Sequence, residues 1–209
     1  MRDLILIGAS GLAREVLAMS QSRFHVVGVL DDDPTLRGTD LDDVEIFGGV
    51  DRAAHLSPWF VICVGAGARR RAIVERLASL SVGPGRYATL IDDSVRLPAR
   101  SSVGGGTVIL AGSVLTTDIV VGRHVVIMPN CTLTHDDIVD DYATLAAGVA
   151  VGGVVRIGEA AYLGMNSSIR QRVSVGAGAT VGMGAAVLGD VPAGQTWAGV
   201  PARALGVRL

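Results

Sequence analysis

Moving through the second half of the chain in steps of six from Ile91 reaches Ile91, Leu97, Val103, Ile109, Leu115, Val121, Ile127, Leu133, Val139, Leu145, Val151, Ile157, Leu163, Ile169, Val175, Val181 and Val187, seventeen positions that are all Ile, Leu or Val. A fixed short period is the signature of a solenoid, in which each repeat buries its apolar residue only against its neighbours. Four residues after each aliphatic the side chain is mostly small or β-branched, as at Ser101, Thr107, Ser113, Cys131, Ala143, Ala161, Ser167 and Ala179. One position therefore points inward and the other fills the remaining corner. Glycine follows the aliphatic at 104, 122, 152, 158, 164, 176 and 182, which reads as a turn that uses its freedom of φ. Each hexad makes one short strand and one corner, and three hexads close a triangular coil. The seventeen give between five and six stacked coils of a parallel β-helix.

Composition agrees with such a prism and removes several classes of function. Glycine occupies 28 of 209 positions while aromatics supply 4 %, as expected of a core built from stacked aliphatics. All 18 cationic side chains are arginine, so neither a Schiff-base lysine nor a Walker A lysine exists. A formal charge of −2 argues against a nucleic-acid grip. Cys63 and Cys131 form no C-x-x-C pair, so neither a zinc ribbon nor a disulfide framework is expected, and a reducing cytoplasm suits them. No stretch approaches the roughly 20 unbroken apolar residues of a membrane span. A zinc site of the γ-type carbonic anhydrase kind needs three converging histidines, and the repeat region has only His124 and His135.

The first 90 residues follow another plan. The apolar run at 4–8 leads into GASGLAREV, where Leu12, Val16 and Met19 recur at helical spacing. HVVGVLDDD at 25–33 is a second strand ending in carboxylates, and FVICVGAGARRRAIVERLASL at 60–80 repeats strand, turn and helix, with Ile73, Leu77 and Leu80 on one face. Alternating βαβα elements predict a small parallel sheet, with ligands beyond the carboxyl ends of its strands. Gly8, Ser10, Gly11 and Gly65 occupy those turns, although Ser10 and Ala13 stand where a strict G-x-G-x-x-G has glycine. Asp31 and Asp32 follow Gly8 by just over twenty residues, where a carboxylate meets a ribose hydroxyl, and the same DDDP also reads as a solvated turn.

The hexads resemble those of the left-handed β-helix acyltransferases. With GASG at 8–11, VGVLDDD at 27–33, FGGVD at 47–51, CVGAGARRR at 63–71, LTHDDIVDD at 133–141, YLGMNSSI at 162–169 and AGVPARAL at 198–205, the chain resembles the NeuD/PglD-type sugar acetyltransferases. The resemblance implies a Rossmann-like nucleotide-sugar-binding domain over 1–90 and a left-handed β-helix acyltransferase domain with a C-terminal tail over 91–209. It implies a homotrimer with acetyl-CoA as cosubstrate between neighbouring protomers; a cytoplasmic location, no metal, and no nucleic-acid or membrane partner are expected alongside. The expected reaction is acetylation of the amino group of a UDP- or GDP-linked amino-deoxy sugar for surface polysaccharide or glycan biosynthesis. The alternatives are O-acetylation of sialic acid or another sugar, and non-catalytic binding of a nucleotide sugar.

The resemblance also places the chemistry. His135, beside Asp136, matches the pair that supplies the family's general base, and a neighbouring carboxylate that takes the Nδ1 proton leaves Nε2 free. Substrate binding falls to Gly8, Ser10, Gly11, Asp31, Asp32 and Gly65. Cofactor contacts fall to Gly148, whose N–H would face the thioester oxygen, to Gly164, and to Arg203 near a CoA phosphate. His124 lies in an ordinary hexad and reads as a surface histidine. Three positions depart from the family: Leu12 replaces a histidine, Met128 an asparagine, and Asp137 puts a carboxylate at the small fifth position. A buried carboxylate needs a partner, so Asp137 is expected to pair with an arginine of an adjacent coil or to share the His135 site.

Overall fold

The computed structural model describes residues 1–19 and 23–206; the last three residues of the expected tail lie outside them. Strand β1 (Arg2–Ile7) runs parallel between β2 (Phe24–Leu30) and the strand Trp59–Ile62. Helix α1 (Gly11–Ala18) starts at Ser10, whose hydroxyl accepts the Ala13 N–H, and it buries Leu12 and Val16; Met19 already caps its end. Helix α2 (Gly67–Ser79) buries Leu77, while Leu80, expected on the same face, stands past the helix end and is exposed. One apolar cluster covers each face of the sheet, as a parallel sheet requires.

From Leu90 the chain winds into the expected prism of two-residue strands. The first face stacks the strands around Val103, Val121, Val139, Ile157 and Val175. The second stacks those around Ile91, Ile109, Ile127, Leu145, Leu163 and Val181, and the third those around Leu115, Leu133, Val151, Ile169 and Val187. Parallel pairing joins residues 18 positions apart, as Leu133 to Val151, until the last coil, where Val181 pairs with Trp197, 16 positions on. The hexad aliphatics form one continuous buried column.

Leu97 is the exception. Pro98 removes a backbone donor from the third face, no strand forms there, and Leu97 is 38 % exposed. The glycine expectation also needs correcting. Positive φ falls at the fourth hexad position, as at Asp118, His124, Asn130, Asp136 and Gly148, and not at the glycines of the second. Those serve close approach: a Cβ on Gly158 would lie 2.5 Å from the Ala177 amide nitrogen of the next coil.

The outward side chains of the second face explain how the halves meet. Val108, Leu110 and Val126 are buried in the same cluster as Leu4, Leu6 and Val61 of the N-terminal sheet, with Met128 packed on it. The substituted asparagine position thus serves as an apolar contact between the two halves.

Candidate active site

The prism has three corners, and each expected site residue belongs to one of them, to the N-terminal sheet or, for Arg203, to the terminal hairpin. Where the third face turns into the first, Thr134–Asp137 carry the candidate base. His135 Nδ1 lies 2.8 Å from Asp136 Oδ2. Both side chains are exposed, and Asp136 adopts φ +63 at the left-handed position, which aspartate tolerates better than most residues. A carboxylate at that distance accepts a hydrogen bond from Nδ1–H and leaves Nε2 as the lone-pair nitrogen. The imidazole lies over Gly153 of the next coil, so closely that a Cβ there would be 2.4 Å from Nε2. Gly153 is a site residue that reading by sixes missed, although a step of one coil from His135 finds it. Both border a groove of about 610 Å³ that Arg170, Arg172 and Asp190 also line.

Asp137 is wholly buried beneath this corner. Its Oδ1 accepts the Val155 N–H and its Oδ2 the Thr134 N–H, each at 2.9 Å. Burial pushes its carboxyl up to about 6, against the pull of these N–H groups and of His135. Among the described residues no arginine pairs with it, so of the two expected arrangements it takes the one beside His135.

The corner between the second and third faces holds Gly148 and Gly164, apart from His135 within one protomer. The Gly148 N–H bonds the Pro129 carbonyl at 3.0 Å, so the oxyanion donor expected there is already engaged in the wall. The reason is general: the N–H at the fourth position ties back to the preceding coil, as from Asn130 to Ala111 and from Asn166 to Ala147. Gly164 likewise donates to Val181, and a Cβ on it would lie 2.6 Å from the Met183 nitrogen. Arg203 lies exposed in the terminal hairpin, and its Nη1 bonds Ala202 O at 2.8 Å.

Between the first and second faces the N-terminal half is anchored. Arg70, only 1 % exposed, donates to the carbonyls of Val64, Gly65, His124, Tyr142 and Ala143 and to Thr144 Oγ1. Burial lowers its guanidinium to about 10. His124 is therefore no surface histidine. It is 4 % exposed, stacked on Tyr142 at 5.3 Å and edge-on to Tyr87 at 4.6 Å, and burial with the Arg70 charge lowers it to about 4.

At the carboxyl ends of the parallel strands a hollow of about 330 Å³ is lined by Gly8, Asp31, Asp32, Arg69 and Ile73, among others. Gly8 turns with φ +102, and Asp31 accepts the Ala9 N–H at 2.7 Å and the Asp33 N–H at 2.9 Å. Asp32 accepts the Val50 N–H and pairs with Arg76, which holds its carboxyl below the usual range. The Ser10 hydroxyl is spent internally on Cys63 O and the Ala13 N–H. Gly11 opens α1, and the Gly65 carbonyl is held by Arg70 and Thr144. Asp31, Asp32 and Ser10 thus all shape the turn themselves, and Arg69 is a cation there that the sequence reading did not single out.

Residues 3–77 match the family model of the PglD N-terminal domain. The acetyltransferase domain of PglB from Neisseria gonorrhoeae, solved with acetyl coenzyme A, superposes with a TM-score of 0.87 at 30 % identity, over 98 % of this chain and 99 % of that one. The chain belongs to the NeuD/PglD-type sugar acetyltransferase family. Like its PglD-type relatives it is a left-handed β-helix with a Rossmann-like N-terminal half, as the family resemblance implied. Perosamine N-acetyltransferase from Caulobacter crescentus, solved with CoA and GDP-perosamine, shares this fold at TM-score 0.86 and 23 % identity, over 98 % of this chain and 97 % of that one. UDP-3-O-acylglucosamine N-acyltransferase from Methylobacterium nodulans is 27 % identical over 124 residues, which are 54 % of this PglD-type chain and 30 % of that protein. Among the described residues no cluster of His, Cys, Asp and Glu suits a metal ion, and no helix is long and apolar enough to cross a membrane.

Proposed function

We propose that this protein transfers the acetyl group of acetyl-CoA to the amino group of a UDP- or GDP-linked amino-deoxy sugar in surface polysaccharide or glycan biosynthesis. His135 is the general base. The observation that carries the reading is the His135–Asp136 pair over Gly153 at a groove of about 610 Å³, in a chain of this family.

The sugar amine attacks the thioester carbonyl while Nε2 of His135 takes its proton. Asp136 holds Nδ1–H and stabilises the imidazolium that forms. Collapse of the tetrahedral adduct breaks the C–S bond, and the imidazolium returns the proton to sulfur, giving the N-acetyl sugar and CoA thiol. Residues 1–90 hold the nucleotide: Arg69 and the Gly8 turn meet the diphosphate, because a guanidinium and a glycine turn at the strand ends suit an anion. Residues 91–209 carry acyl transfer.

Gly148 and Gly164 occupy a different corner from His135, so cofactor contacts there reach His135 only across a neighbouring prism. We therefore read the active enzyme as a cyclic homotrimer with composite sites, cytoplasmic in location. Thiol release from acetyl-CoA with UDP- and GDP-linked 3-amino and 4-amino sugars tests the reading. Turnover on an amino sugar that is lost in His135→Gln supports it. Turnover only on hydroxyl acceptors, or nucleotide binding without thiol release, overturns it.

A further inference from the structure

Asp137 stands at the fifth hexad position, where other polar side chains show what the fold itself requires. Ser101 Oγ accepts the Ile119 N–H and Thr107 Oγ1 the Val125 N–H, each 18 residues on and each at 3.0 Å. One neutral hydroxyl is thus enough to tie a fifth position to the next coil. Asp137 makes that same bond, to Val155, through Oδ1. Its second oxygen does something neither hydroxyl does: it reaches back to the Thr134 N–H, in the turn that carries His135. The two bonded amides bracket the stacked pair, since Thr134 precedes His135 and Val155 follows Gly153 and Val154. Thr134 Oγ1 adds a second tie, to Val151 O at 3.0 Å.

We propose that Asp137 is a positioning residue for the base, fastening the His135 turn to the coil over which the imidazole lies, and that transfer requires its carboxylate ionised. The proposal rests on the reading of His135 as general base. Both oxygens of Asp137 face N–H donors, so a proton on either makes that oxygen a poorer acceptor and loosens one side of the bracket. The buried negative charge also favours the imidazolium formed as the amine loses its proton. Its titration, raised by burial to about 6, brings that loss into an accessible range. The charged groups acting on it are His135 and Asp136 of its own turn; the Arg100–Asp118 pair lies at the same corner of the preceding coils, and Arg170, Arg172 and Asp190 line the groove on the coils that follow.

The test is kcat/KM across about pH 5 to 9 for the full chain, wild type against Asp137→Ser, Asp137→Asn and His135→Gln. Serine keeps the bond to Val155 and loses the one to Thr134. The expected result for Asp137→Ser at about pH 8 is a kcat lower by roughly tenfold, with KM for acetyl-CoA and thermal midpoint little changed, as for a reacting group held slightly out of place. In the wild type, log kcat/KM falls more steeply below about pH 6 than in Asp137→Ser, which has lost the titrating carboxylate. Should the serine variant not fold, Asp137→Asn carries the same comparison, with one N–H donor permanently opposed. Equal slopes in wild type and variant, or a wild-type kcat in the variant, overturn the role of Asp137. Activity retained in His135→Gln overturns the base assignment instead, which separates the two failures.

Discussion

Replacing Gly153 with alanine puts a methyl group where the imidazole of His135 lies. The added Cβ would be 2.4 Å from Nε2, and ordinary contact begins at 3.4 Å, so the ring must withdraw by about 1 Å. Gly153 does not use the left-handed φ region, so alanine fits the backbone. The side chain of His135 is exposed, and it is therefore the ring rather than the wall that gives way. A displacement of about 1 Å at a reacting nitrogen costs on the order of 100-fold in rate, or about 2.7 kcal/mol of transition-state stabilisation. The expected outcome of Gly153→Ala is a kcat lower by about that factor, with nucleotide-sugar affinity and thermal midpoint near those of the wild type. Steady-state thiol release and calorimetric titration of the nucleotide sugar measure both. A kcat within about twofold of wild type would refute the reasoning, because a base that tolerates the methyl does not work from its position over Gly153.

Three further outcomes follow from other parts of the fold. Arg70→Met leaves a ring of buried carbonyls without donors and should lower stability by about 3 kcal/mol or more in urea unfolding, with the N-terminal half loosened first. His124 titrates near 4 when folded against an ordinary 6.5, so the unfolded chain binds the extra proton between these values. Its contribution is whole above about pH 6.5 and disappears as pH falls through about 4, a change of about 3 kcal/mol that His124→Phe should abolish in stability measured against pH. Val154, β-branched with φ +62, sits strained at the edge of the groove, so Val154→Gly should raise the unfolding midpoint by the equivalent of about 1 kcal/mol.

The repeat made the prism legible because burial imposes the same requirement on every coil. A step of six finds the inward column whatever the outer residues are. What the step does not carry is which corner each turn occupies. His135, Gly148 and Gly164 look like neighbours along the chain, yet they fall on two corners of one prism. Counting by 18 restores that information and brings Gly153 under His135. His124 escapes a reading by hexads for a related reason: its hexad resembles the others, and its burial comes from Tyr87 and Arg70 in the other half of the chain. Val108 and Val126 are apolar at the outward sixth hexad position, where Arg156, Ser168 and Ser174 stand elsewhere, and Met128 is apolar at the second, where Asp140 and Arg170 stand. At the strand ends the glycine turn was readable, whereas the ties of Asp31 to Ala9 and of Ser10 to Cys63 depend on tertiary contacts that no local pattern encodes.

The central claim is acetyl transfer to a nucleotide-linked amino sugar with His135 as base. Its most direct test is mass spectrometry of the products formed from acetyl-CoA and UDP- or GDP-linked amino sugars by the wild type and by His135→Gln. The account predicts a product heavier by one acetyl group on the sugar nitrogen, formed by the wild type and lost by several orders of magnitude in the variant. An unmodified sugar amine with every acceptor, or equal product from both proteins, would contradict it.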